Sequence, residues 1–354
     1  MTEQCNILSP DIQENEILSR SPELLHTLLN DHTLSDIAQK KEEKRLGREL
    51  TDDEKKALQV NIFWATDNYA DRGEGYQYHD HITIESITDD NGHVIVPRSL
   101  KSRQQQQQRS REMAEVFTPS WICNKQNNLI DNAWFGRENV FNTEIDAPDG
   151  SHDWQPTTEA IAFPEGKTWK DYVSECRLEI TCGEAPYLAS RYDTVTGEMF
   201  PVEKRIGLLD RKLRVVSENT KTSAEWLKAA QRAFQSTYGY EWQGDNLVLA
   251  RENLLYTFID YYVAKFGKEP LEKSIEYIAY IISWNIVQMD GLKFVVPDSC
   301  GERREIIADL FGETERITHC EGCRTGDSLK HNGHYVLIKD WSARKKIRFV
   351  DLIK

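Results

Sequence analysis

The Cys320-Glu321-Gly322-Cys323 turn, with Cys300 before it and His331 and His334 after it, gathers the side chains that hold a metal ion. Thiolates at this spacing share one ion at a turn, and Cys300 with His331 brings the donors to the four that a closed structural zinc site uses. A redox dithiol is the other chemistry open to a Cys-x-x-Cys pair. A second stretch, residues 178–188, offers a binding surface instead. It reads as a buried strand, Arg177 to Thr181, breaking into a tight turn of small residues around Gly183. A glycine after the first strand of an open α/β sheet lets the backbone approach a nucleotide-like ligand, and a nearby acid, here Glu179, takes the ligand's polar groups.

The elements that must position this turn lie in residues 113–295. Strands near 177–181 and 237–241 alternate with helices near 205–216, 223–235 and 246–265, the pattern of a largely parallel α/β sheet. Asp245 stands where it can cap the last of these helices, and the stripe Tyr256, Phe258, Tyr261 and Tyr262 reads as core. Residues 1–112 form an accessory region, helical around Leu24, Leu25, Leu28 and Leu29, with helix starts at Ser21-Pro22 and Thr51-Asp52. A hairpin is expected over 80–97, and His79 and His81, which as alternate residues would face the same side of a strand, read as part of a metal site on a strand edge or, more plainly, as a surface strand. Residues 296–354 carry the Cys/His segment and a final strand.

Along this core run Ala114-Glu115-Val116-Phe117-Thr118-Pro119, the turn at Gly183, Tyr238-Gly239-Tyr240-Glu241, Leu249-Ala250-Arg251-Glu252-Asn253-Leu254-Leu255 and Ile286-Val287-Gln288-Met289-Asp290-Gly291-Leu292. This order resembles the adenine-specific DNA methyltransferases of restriction-modification systems, of the restriction endonuclease subunit M type, over roughly residues 110–295. The resemblance implies a Rossmann-like S-adenosylmethionine-dependent methyltransferase core. It implies that Thr118 and Pro119 lie against the methionine end of the cofactor, that Glu179 and Gly183 line its pocket, that Glu241 holds the ribose, and that Asp290 faces the adenine amino group. Acids at strand ends suit these roles because a carboxylate accepts charge-assisted hydrogen bonds from hydroxyl and amino groups.

The chain departs from the family in three places. Ala185 and Pro186 stand where a second glycine is usual. The interval from Gly183 to Glu241 is long, consistent with an insertion around Asp193 to Val202 that leaves Arg205 to Val216 as the helix after the turn. No Asn-Pro-Pro-Tyr clamp for a flipped adenine is present. The strand that leads into such a clamp resembles Ile347 to Ile353, which raises the expectation of a split enzyme whose partner supplies the clamp. Asp131-Asn132-Ala133-Trp134-Phe135-Gly136 is an alternative clamp out of its usual order.

A net charge of −14 runs against a plain DNA-binding surface, since phosphate contacts draw on lysine and arginine. Two basic clusters remain available for DNA: Arg98, Lys101, Arg103, Arg109 and Arg111 around five glutamines, and Arg344, Lys345, Lys346 and Arg348. Seven cysteines fit a reducing cytoplasm better than a disulfide framework, and neither a membrane span nor a secretory signal is legible. Serine-hydrolase elbows, phosphate loops and His-Glu-x-x-His motifs are missing, and Asp210, Lys212 and Glu218 constitute a nuclease site only if the fold brings them together. Three functions follow: a DNA adenine methyltransferase of a restriction-modification or phage-defence system, a cofactor-binding subunit completed by a protein partner, or an inactive relative that regulates defence or restriction through its acidic surface.

Overall fold

The apolar runs around Leu178, Tyr240 and Val287 form three short strands, Arg177–Glu179, Thr237–Glu241 and Ile286–Gln288. In the computed structural model, which describes residues 9–12, 14–112, 115–309 and 312–353, they pair in parallel with Thr237–Glu241 at the centre. Parallel neighbours need long crossovers, and each here contains two helices. Leu208–Asn219 and Ser223–Gln235 join the first strand to the second, and Gly244–Phe266 and Glu272–Asn285 join the second to the third. The chain is thus an α/β protein, as the alternation implies. The insertion expected before the first crossover helix is an irregular stretch held by a turn at Asp193, whose carboxylate also accepts from the Ser120 backbone N–H at 2.7 Å.

Tyr256, Phe258, Tyr261 and Tyr262 are buried, as the stripe predicts. Asp245 does not cap its helix. Gln243 occupies that position, while Asp245 turns inward to accept from Arg109 at 2.7 Å and from the Tyr69 hydroxyl at 2.8 Å. Burial alone would raise its carboxyl, yet Arg109 and Lys101 hold it below the usual carboxylate range.

The N-terminal helices do not stand apart from this core. Leu24, Leu25, Leu28 and Leu29 of the helix Pro22–Leu29 belong to the same buried cluster as Leu247, Phe258 and Ile278. Ser21-Pro22 and Thr51 begin helices as expected, and Thr51 forms a full capping box with Glu54. The hairpin over 80–97 is not formed. Thr83 and Ser86 cap a short helix, Ile84–Ile87, and His81 pairs instead with Phe63. The local capping bonds satisfy the backbone that a hairpin would have paired.

Three further readings of the sequence are not realised in the fold. Residues Lys345–Arg348 pair antiparallel with Leu337–Asp340 and then enter a 3-10 turn, so Ile347 to Ile353 adds no strand to the central sheet. The alternative clamp is core: Asp131 accepts from Arg211 at 2.7 Å and from Tyr172 at 3.0 Å, and Phe135 sits among Phe141, Phe163 and Tyr172. The nuclease constellation also dissolves. Asp210 accepts from the backbone N–H groups of Ser190 and Gly207, Lys212 donates to the carbonyls of Glu175 and Ser236, and Glu218 pairs with Arg214.

Glu14, on the first described helix, and Glu252, on the long helix, are buried with both carboxylate oxygens lacking a hydrogen-bond partner among the described residues. Burial, with Asp11 nearby, pushes the Glu14 carboxyl up to about 9. An acid raised in the folded state contributes stability that is fully present below its unfolded value and is lost as the pH rises through the folded value. The Glu14→Gln variant is therefore expected to lose less melting temperature than the parent chain between pH 6 and pH 10, measured by thermal denaturation across that range.

Candidate cofactor cleft and metal centre

Parallel strands deliver their carboxyl ends to one edge of the sheet, and a cleft of 810 Å³ opens there. Its walls include Phe117, Thr118, Glu179, Gly183, Glu241 and Asn246. The turn after the first strand is shaped by three residues in the left-handed region, Thr181, Gly183 and Ala185, with φ of 45°, 53° and 60°. For a β-branched threonine this conformation is strained, and strain of this kind collects at binding sites. Thr118 reaches the cleft just before Pro119 starts the helix Ser120–Phe135, whose first free N–H is met by Asp193.

Of the residues singled out from sequence, Thr118, Glu179, Gly183 and Glu241 line this cleft, and Pro119 adjoins it. The Gly183 backbone N–H donates to the Glu241 carboxylate at 2.8 Å, tying the turn to the end of the central strand. Glu179 accepts from the backbone N–H groups of Tyr187 and Leu188. Burial pushes the Glu179 carboxyl well above the usual range, and the nearby Glu241 adds to the effect. Burial likewise raises Glu241. Asp290 is a correction: it is not on the cleft wall. The third strand ends early, and the Asp290 carboxylate caps a turn by accepting from the backbone N–H groups of Leu292 and Lys293.

Sequence reasoning missed Asn127 and the free edge of Glu115. Asn127 Oδ1 and Glu115 Oε1 are buried acceptors on the cleft wall with no hydrogen-bond partner among the described residues. Gln126, Asn127 and Ile130 share one face of their helix, so the spacing was visible, but nothing local said which way that face looked. The basic cluster also divides. Lys101 and Arg109 are buried beside Asp245, and Arg98 lies over the Phe117 ring at 4.7 Å, which leaves Arg103 and Arg111 at the surface.

The four predicted metal ligands converge. Cys300 Sγ lies 3.2 Å from Cys320 Sγ, 3.5 Å from Cys323 Sγ and 3.3 Å from His331 Nδ1. His331 Nδ1 lies 3.6 Å and 3.7 Å from the sulfurs of Cys320 and Cys323. This Cys3His set suits a metal such as zinc, whose bond lengths of about 2.0–2.3 Å place tetrahedral donors roughly 3.5–3.8 Å apart. The backbone N–H groups of Cys323 and Asn332 point at the Cys320 sulfur and, against the effect of burial, hold its thiol below the usual value. Gly322 is required here, because a Cβ would stand 2.7 Å from His331. His79 and His81 join no such cluster among the described residues.

The Cys3His cluster is tied to the turn after the third strand rather than to the cleft. Val296 N–H donates to His334 O at 2.8 Å and Val336 N–H to Phe294 O at 3.0 Å, so the segment continues directly from the turn after the third strand. Metal analysis of the purified chain is expected to find about one equivalent of zinc, as a closed four-donor site holds. Paired Cys320→Ser and Cys323→Ser substitutions should abolish it and lower the melting temperature, while a metal-free parent chain of unchanged stability would remove the assignment. Comparison of the chain with protein-family models, with curated proteins and with solved structures finds no match in any of the three.

Proposed function

We propose that this chain is an S-adenosylmethionine-dependent DNA adenine methyltransferase-like protein of a restriction-modification or defence system. The carrying observation is the bond between Gly183 N–H and the Glu241 carboxylate across the mouth of a crevice at the carboxyl ends of two adjacent parallel strands. A ligand there meets the acids Glu115, Glu179 and Glu241 and the unpartnered Asn127 Oδ1, an acceptor-rich wall that favours a cationic, amino- and hydroxyl-bearing molecule. S-adenosylmethionine is such a molecule, and it supplies an electrophilic methyl group on a sulfonium. In this reading Glu241 accepts from ribose hydroxyls, Gly183 admits the ligand without a side chain, and Phe117 and Trp242 exclude water from the cleft they line. The sheet determines the distance between these groups, which is the positional part of catalysis.

A second reading is favoured by the sheet's outer strand. Among the described residues Arg177–Glu179 pairs on one side only, and Leu178 and Ile180 beside that open side are 46% and 63% exposed. A subunit whose base clamp comes from a protein partner would present such an edge. Methyl transfer to duplex DNA by the chain alone supports the first reading, and cofactor binding without transfer supports the second.

Calorimetric binding of S-adenosylmethionine tests both. Glu241→Ala is expected to weaken binding roughly 10-fold or more, through loss of charge-assisted hydrogen bonds. Gly183→Arg should abolish binding, because the long side chain fills the turn; unchanged affinity in both variants, or no binding by the parent chain, would sink the proposal. Affinity should also rise with pH above the ordinary glutamate value, since the raised carboxyls of Glu179 and Glu241 attract a cation only once ionised.

A further inference from the structure

The helix Arg103–Glu112 contains no apolar residue, so it has no hydrophobic face to bury. A ten-residue polar helix is unstable by itself, and packing of an apolar stripe is the usual remedy. Here polar anchors replace it. Gln106 Nε2 donates to the carbonyls of Arg98 and Lys101, Arg109 is buried against Glu115 and Asp245, and the Ser110 hydroxyl donates to Glu115 O. Ser102 and Gln105 cap the first turn. These contacts fix the orientation of the helix and leave Arg103, Gln104, Gln107 and Arg111 exposed, without a partner among the described residues. At a helix's 100° per residue the four fall within an arc of about 100°, and no acid stands among them.

We infer that this outer face is a recognition surface for duplex DNA, entered through the major groove; the choice of nucleic acid rests on the methyltransferase reading. Arginine and glutamine are the side chains whose forked donors and acceptors match guanine O6/N7 and adenine N6/N7, and the groove, about 12 Å wide, accepts a single helix. Charge complementarity points the same way, because this patch carries two unpaired arginines on a chain of net charge −14. The face is also coupled to the cleft. Glu115, which anchors the helix through Arg109, is itself a cleft-lining residue, and Phe117 and Thr118 follow it into the wall. A base pair read by the helix is thereby held at a fixed offset from the crevice.

The test uses the full chain with a pool of random 20-base-pair duplexes, selecting bound sequences and measuring affinity by fluorescence anisotropy. The parent chain is expected to enrich a preferred sequence. Gln104→Ala with Gln107→Ala should weaken the preferred duplex roughly 10-fold and erase an adenine preference while leaving the unselected pool unchanged. Arg103→Ala with Arg111→Ala should weaken both, with a shallower dependence on salt. Calorimetry with S-adenosylmethionine on the same samples shows that the variants fold, and separates the two ideas: loss of cofactor binding by the parent chain speaks against the proposed function alone. Absence of DNA binding by the parent chain, or selection of the same sequence at the same affinity by both variants, would overturn the recognition helix.

Discussion

Asp245 is the point on which several parts of this molecule converge. Its carboxylate is fully buried and receives Arg109 from the glutamine-rich helix and Tyr69 from the N-terminal region, while Lys101 stands 4.0 Å away. Arg109 in turn grips Glu115, the first described residue of the segment that forms one cleft wall. A buried charge of this kind is tolerated only when its partners are in place, and losing one partner from such a pair costs about 3–5 kcal/mol. The interaction therefore does more than join two side chains. It fixes the start of the helix Gly244–Phe266, the position of the glutamine-rich helix and the approach to the glycine turn together.

The same arrangement explains which parts of the structure were legible in the sequence. Two of the three strands and three of the four crossover helices were readable because their apolar periodicity is local and strong: the helix Ser223–Gln235 and the strand Thr237–Glu241 fall where the pattern puts them, while the helix Glu272–Asn285 was not read from it. Asp245 looked like a helix cap because its position in the sequence fits one, and only the folded chain brings Arg109 and Tyr69 to it. The hairpin over 80–97 failed for the opposite reason. Its alternation was real, but Thr83 and Ser86 satisfied each other's backbone first.

Within the candidate sites, chemistry concentrated in short motifs was the easier to read. The Cys320–Cys323 turn declared its ligands by spacing; the antiparallel strands Arg303–Asp309 and Gly312–Thr318 bring the chain back from Cys300 to that turn, and His331 returns to it after the short helix Glu321–Thr325. Asn127 and Glu115 could not be found that way, since neither belongs to a motif and their interest comes from acceptors left unpaired in a wall built from distant segments. Asp290 shows the complementary error. Its position along the chain fits a ligand contact, but the early end of its strand commits its carboxylate to a turn.

Thr181 has a consequence that reaches beyond the cleft. An open parallel strand offers a row of free amide and carbonyl groups to any passing chain, and natural proteins restrict such edges by keeping them short and interrupting them. The strand ends at Glu179, and the left-handed backbone at Thr181 interrupts its ladder before the Cys182 N–H returns to Tyr240 O on the central strand, so the regular open row is only a few residues long. The strained residue that shapes the cleft thus also limits templated aggregation, and relaxing it to an extended conformation would lengthen the sticky edge as it flattened the cleft.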